Sequence, residues 1–127
     1  MLFRSYKTPA EIPTDYYAEI RKYTSKPIAF TEMGWLSQET FSGSLAQLNG
    51  TGWTGSEEEQ AAFIARFQEL TRGLPVEFAL WTLTHDLKML GRNDDLFSSI
   101  GLKYNDGKPK RAWDAWRALA AMPYAGK

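Results

Sequence analysis

The chain has no cysteine and a single histidine in 127 residues. That excludes disulfides and thiolate metal sites, and it excludes a histidine-rich metal centre within one chain. Charge of either sign is not in excess, since 15 basic residues balance 15 acidic ones. Lysines and arginines are dispersed, so no field exists to gather a polyanion, and nucleic acid is not an expected partner. No run approaches the roughly 18 apolar residues of a membrane span, and Met1-Leu2-Phe3-Arg4-Ser5-Tyr6-Lys7 lacks a signal peptide's apolar core. A soluble chain without a membrane partner is the expectation. If the sequence is a piece of a longer one, its start says nothing of where the parent resides.

What is present is an ordinary globular composition, 43% hydrophobic and 24% charged, with an aromatic share of 14%. The length suits one domain. The most informative stretch is Lys26-Pro27-Ile28-Ala29-Phe30-Thr31-Glu32-Met33-Gly34-Trp35. Its apolar run has no helical period and reads as a buried strand over about 27–32. It delivers one carboxylate and then breaks at glycine beside tryptophan. A charged side chain at the exit of a buried strand is paired or employed. Glu32 is the first candidate for a working group, the bland alternative being a structural carboxylate paired with a lysine or arginine.

On either side the chain alternates. Leu2 to Ser5 is at most a strand stub, and Thr8-Pro9-Ala10-Glu11-Ile12-Pro13 reads as an extended loop. Thr14 is a fair N-cap, and Tyr16, Tyr17, Ile20 and Tyr23 give a helical stripe to about residue 24. From Met33 to Gly55 there is no period, and a loop of that length is usually functional or disordered. Ser56-Glu57-Glu58-Glu59 is a capping box, and Phe63, Ile64, Phe67 and Leu70 space an amphipathic helix over about 57–72, ending at Gly73. Val76-Glu77-Phe78-Ala79-Leu80-Trp81-Thr82 reads as a second strand, about 76–82, with Val76, Phe78 and Leu80 on one side and Glu77, Ala79 and Trp81 on the other. A second irregular region holds His85, Asp86, Asn93, Asp94 and Asp95. Asn105-Asp106-Gly107 then turns into a last helix, about 108–122, on which Ala112, Trp113, Trp116 and Leu119 repeat.

Strand, helix, strand in succession implies parallel strands joined by a right-handed crossover, with ligands at the strands' carboxyl ends. Glu32 and both long loops fall at that end. The fold class is α/β: a single unit over 1–127 of about two βα units.

These residues resemble the retaining glycoside hydrolases of clan A, which are (β/α)8 barrels. Pro27-Ile28-Ala29-Phe30-Thr31-Glu32-Met33-Gly34-Trp35 is similar to the clan's seventh strand, whose terminal glutamate is the nucleophile. Phe78-Ala79-Leu80-Trp81-Thr82 is similar to the eighth, whose tryptophan commonly lies under the sugar. Ile100-Gly101-Leu102 through Asp106-Gly107-Lys108-Pro109-Lys110 resembles the pattern before the last helix. The resemblance implies a C-terminal barrel portion from helix six to helix eight, a carbohydrate substrate and no cofactor or metal. Glu32 would attack the anomeric carbon while a second carboxyl group about 5 Å away protonates the leaving oxygen. Sharing parity with Ile28 and Phe30, Glu32 would point with them into the barrel, Trp81 beside it. Trp35, His85 and Trp53 are further candidates for contact with the sugar; core packing is the competing role for Trp35 and Trp81, and Trp53 is as suited to pinning its own loop. Trp113 and Trp116 are expected in the core.

A complete barrel needs about 250 residues and eight strands. The clan's general acid lies on a strand this chain does not contain, and Glu39, Asp86, Asp94 and Asp95 carry no motif marking a proton donor. A two-stranded parallel sheet cannot cover both its faces, so the unit is incomplete as a monomer. It calls for self-association into a homo-oligomer or for a complementary barrel segment. Two functions are open: the C-terminal part of a retaining hydrolase of β-linked glycans, or a noncatalytic barrel fragment serving assembly or carbohydrate binding.

Overall fold

The computed structural model describes residues 6–38, 55–88 and 96–123. The expected stub at Leu2 to Ser5, together with Glu39, Trp53, Asn93, Asp94 and Asp95, lies outside the described residues.

Strand β1 spans Ile28–Met33 and strand β2 Val76–Trp81; they pair in parallel as a two-stranded sheet. Helix α1, Glu57–Thr71, makes the crossover, and helix α2, Arg111–Ala120, follows β2. Ser56 caps α1 as its motif predicts: its hydroxyl accepts from the Glu59 amide at 3.1 Å. The helix ends where Gly73 takes a left-handed conformation, φ 79°, beyond the cap at Arg72. Helix α2 has Lys110 as N-cap residue without a side-chain cap of its own. The Glu57 carboxylate of α1 takes that place, accepting from the Arg111 amide at 3.0 Å.

The sheet and helices make two layers. Phe63, Phe67 and Leu70 of α1 bury against Met33 of β1 and Ile12 of the N-terminal segment, with Phe30, Ala79, Trp81, Trp116 and Leu119 packed around them. A second cluster of Ile64, Leu102 and Ala112 joins the two helices. Each large apolar side chain buried here contributes about 1.5–3 kcal/mol. Rings meet edge to face through this layer: Phe30 on Phe67 at 4.9 Å, Tyr17 on Phe30 at 5.0 Å, Trp81 on Trp116 at 5.6 Å. Trp116, expected in the core, is half-buried and packs against both clusters. Trp113 is half-buried, with Lys103 Nζ 4.0 Å from its ring centre.

Three expectations are corrected. The stretch 14–24 is not an α-helix: its regular part is a 3₁₀ segment, Ala18–Lys22, with Tyr17 rather than Thr14 at its N-cap and no side-chain cap. Adjacent tyrosines and the missing cap weaken an α-helix there, and Arg21 stops the turn by donating to the Ser25 and Lys26 carbonyls. The loop before it holds a 3₁₀ turn, Pro9–Glu11, that starts on proline. The third correction concerns sidedness. Phe30 and Trp81 face the helix layer, while Phe78 and Leu80 lie 46% and 52% exposed on the opposite, open face. The alternation of β2 holds over Phe78 to Trp81 and breaks at Glu77 and Phe78, which are both exposed where the pairing register shifts; the face expected to line the barrel interior is the one the helices cover.

Candidate active site

On the open face, at the carboxyl end of β1, stands Glu32. Simple alternation would place it with Phe30, under the helices. The register prevents that. Phe30 pairs with Ala79 and Met33 with Trp81, so β1 uses one residue more than β2 between the two pairs. This is a bulge. Phe30 and Met33 both turn to the helix layer, and Thr31 and Glu32 are both exposed between them. Among the described residues no lysine or arginine forms an ion pair with Glu32. The structural role considered from sequence, a carboxylate held by a basic partner, therefore finds no partner there.

The exit beyond Glu32 is fixed at every step. The Met33 carbonyl accepts from the Thr82 amide and hydroxyl, both at 2.8 Å. Gly34 lies so close to Ile100 that a Cβ there would stand 2.4 Å from Ile100 Cδ1. The Trp35 carbonyl accepts from Gln60 Nε2 at 2.8 Å, and the Trp35 ring stacks on Phe63 at 5.3 Å. Ser37 donates through its amide and its hydroxyl to the Ser99 carbonyl, at 3.0 and 2.9 Å.

The exit of β2 is tied to the same segment. Trp81 Nε1 donates to the Ile100 carbonyl at 2.7 Å. Its indole thus packs with Phe63 and Trp116 in the helix layer instead of projecting beside Glu32, which corrects the orientation expected of it. His85 is exposed after β2 and bridges to Lys103 through the backbone. Of the sequence candidates, then, Glu32 and His85 are solvent-facing, whereas Trp35 and Trp81 are half-buried packing residues.

Asp86, one of the acids considered as a donor, is buried and bound. Its Oδ1 accepts from the Gly101 amide at 2.9 Å and from Lys110 Nζ at 2.7 Å. Lys110 is 1% exposed and donates further to Ser37 Oγ at 2.8 Å, the Gly101 carbonyl at 2.9 Å and the Ser99 carbonyl at 3.3 Å. Burial pushes the Asp86 carboxyl up and the Lys110 ammonium down, each partly offset by the pull of the other. Gln60, fully buried, completes the group by donating to the carbonyls of Trp35, Ile100 and Gly101. Neither Gln60 nor Lys110 stood out in the sequence. Gln60 has a signal, a polar residue three before Phe63 and four before Ile64 on the buried stripe; Lys110 closes the pattern before the last helix, which carries no sign of its burial.

No family model matches the chain, and no curated protein does. Solved structures do. The chain resembles a Bifidobacterium dentium beta-glucuronidase, solved in complex with coumarin-3-O-glucuronide, with a TM-score of 0.59 and 23% identity over 88% of its length. A Lactobacillus rhamnosus beta-glucuronidase matches at TM-score 0.59 and 21% identity over 89%. Both are glycoside hydrolases built on a (β/α)8 barrel. The fold is part of such a barrel. The chain spans only 18% and 19% of the two neighbours' lengths, so the parallel pair and its helices correspond to a fraction of their structure. In a barrel the helices lie outside. The open face with Glu32, Phe78 and Leu80 is accordingly the one turned inward.

Proposed function

We propose that the chain is the C-terminal part of a retaining glycoside hydrolase acting on β-linked glycans, with Glu32 as nucleophile and the general acid supplied from outside this segment. The observation that carries the reading is the bulge in β1. It leaves exposed, at the carboxyl end of β1, a carboxylate that forms no ion pair with a lysine or arginine among the described residues, and barrel active sites lie at that end.

Chemically, the Glu32 carboxylate attacks the anomeric carbon, and the glycosidic oxygen leaves as it takes a proton from the acid. Water then hydrolyses the glycosyl ester with that second group acting as base. His85, exposed at the neighbouring exit, suits a hydrogen bond to a sugar hydroxyl. Trp35 and Trp81 serve the site by packing, since their rings hold both exits on α1 and α2. Covering Phe78 and Leu80 requires further strands, from copies of this chain or from a complementary barrel segment.

The test is turnover of dinitrophenyl β-glycosides, the glucuronide among them, because a good leaving group needs little protonation. Glu32→Ala is expected to lower the rate at least about a thousandfold. Equal turnover in that variant would refute Glu32 as the nucleophile, and no turnover of the unaltered chain would leave noncatalytic sugar binding or assembly.

A further inference from the structure

Three consecutive carbonyls, those of Ser99, Ile100 and Gly101, are all engaged by side chains from other elements. Ser37 and Lys110 donate to the first, Trp81 and Gln60 to the second, and Gln60 and Lys110 to the third. A stretch this polar stays buried because its acceptors are satisfied. What they attach to is informative. Ser37 belongs to the exit of β1, five residues after Glu32, and Asp86 to the exit of β2. Segment 99–103 runs between the two, with Lys103 and Leu102 bonded to the Thr84 and Leu83 carbonyls at 2.9 and 3.3 Å.

One group touches all three pieces. Lys110 Nζ has Ser37 Oγ of the first exit, Asp86 Oδ1 of the second, and the Ser99 and Gly101 carbonyls of the intervening segment as its oxygen neighbours. An ammonium has three hydrogens, and three of these contacts, at 2.7 to 2.9 Å, account for them. Its own backbone amide is bonded to the Leu102 carbonyl at 3.1 Å, so the lysine is anchored at both ends.

We infer that Lys110 is a positioning residue, an ammonium seated among four oxygens that joins the exits of both strands and sets the backbone carrying Glu32. The part of this that concerns catalysis rests on the reading of Glu32 given above; the part that concerns the strand exits does not. Lysine suits the task because its charge binds carbonyls, a hydroxyl and a carboxylate together, whereas an acceptor side chain would be repelled by the carboxylate and both carbonyls.

The test compares the unaltered chain with Lys110→Met and with the double variant Lys110→Met, Asp86→Leu, which leaves no unpaired carboxylate. Amide hydrogen exchange is read over 33–37 and 82–86, the two exits, and, as reference, over 63–70 of α1. The expected result in the double variant is exchange about tenfold faster or more at both exits, with the reference unchanged. Unchanged exchange at the exits overturns the inference, as does an equal rise in all three segments, which is global destabilisation. In the turnover assay, kcat is expected to fall about a hundredfold with KM nearly constant, the signature of a displaced nucleophile. A KM effect alone overturns it. If the unaltered chain gives no turnover, the proposed hydrolysis fails while the exchange data still decide whether Lys110 joins the exits.

Discussion

At the scale of single residues, the site depends on close approaches that only particular side chains permit. Gly101 is one. A Cβ there would stand 2.3 Å from the Asp86 amide nitrogen and 2.4 Å from the His85 carbonyl carbon, both backbone atoms that cannot swing aside. Gly101→Ala is expected to cost about 3 kcal/mol or more. Gly73→Ala, at φ 79° with nothing within 4 Å, should cost only about 1 kcal/mol from the left-handed backbone. Urea denaturation of the two variants measures the contrast, and equal costs would mean that the exit of β2 is looser than its contacts indicate.

Tyr17 gives the residue scale a pH signature. Burial against Phe30 and Phe67, reinforced by the charge of neighbouring Tyr16, pushes its phenol up to about 12 from an ordinary 10.0. Because the folded value lies above the unfolded one, the stabilisation is complete below pH 10 and is lost as pH rises through about 12. Tyr104, raised to about 12 chiefly by its hydrogen bond to Glu57 and then by burial, adds to the same limb. Urea midpoints measured across this range should fall, and Tyr17→Phe should flatten much of the fall. A midpoint independent of pH from 10 to 12 would show that Tyr17 ionises as freely in the folded chain as in the unfolded one.

At the scale of elements, α1 was the most legible. The capping box, the stripe of Phe63, Ile64, Phe67 and Leu70 and the stop at Gly73 agree with one another, and the helix runs Glu57–Thr71 as they require. Ser56→Ala removes the one hydroxyl that accepts from the Glu59 amide and is expected to cost about 1 kcal/mol in the same denaturation assay. The strands were legible as strands and misread in sidedness. Alternation identifies two faces without saying which of them the helices cover. In β1 the alternation itself fails at Thr31 and Glu32, because a bulge depends on the partner strand's register, which no local pattern encodes. Glu32 was picked out for its chemistry and reaches the open face by a route different from the one its parity implied. Lys110 was illegible for a related reason. A lysine is buried only when oxygens converge on it, and these come from positions 37, 86, 99 and 101, brought together by the fold.

At the scale of the whole molecule, the two layers are one short of what a parallel sheet needs. Helices cover one face, and Phe78 and Leu80 stand exposed on the other. Among the described residues the sheet has two strands, so each strand has one edge that no described strand pairs. The chain is expected to associate, either with itself or with further strands of the barrel. Light scattering on the purified chain should give a mass above the 14.4 kDa of one copy. A folded, monodisperse monomer would show that the open face tolerates water and would remove the need for covering strands.

If Glu32 is the carboxylate that bonds to the sugar, the most direct measurement is to trap that bond. An activated 2-deoxy-2-fluoro β-glycoside slows hydrolysis of the glycosyl ester, and peptide mass spectrometry then reports which carboxylate carries the sugar. A single adduct is expected, on the peptide containing Glu32 and absent in Glu32→Ala. An adduct on a different carboxylate, or turnover of the dinitrophenyl substrate without any adduct at Glu32, would contradict it.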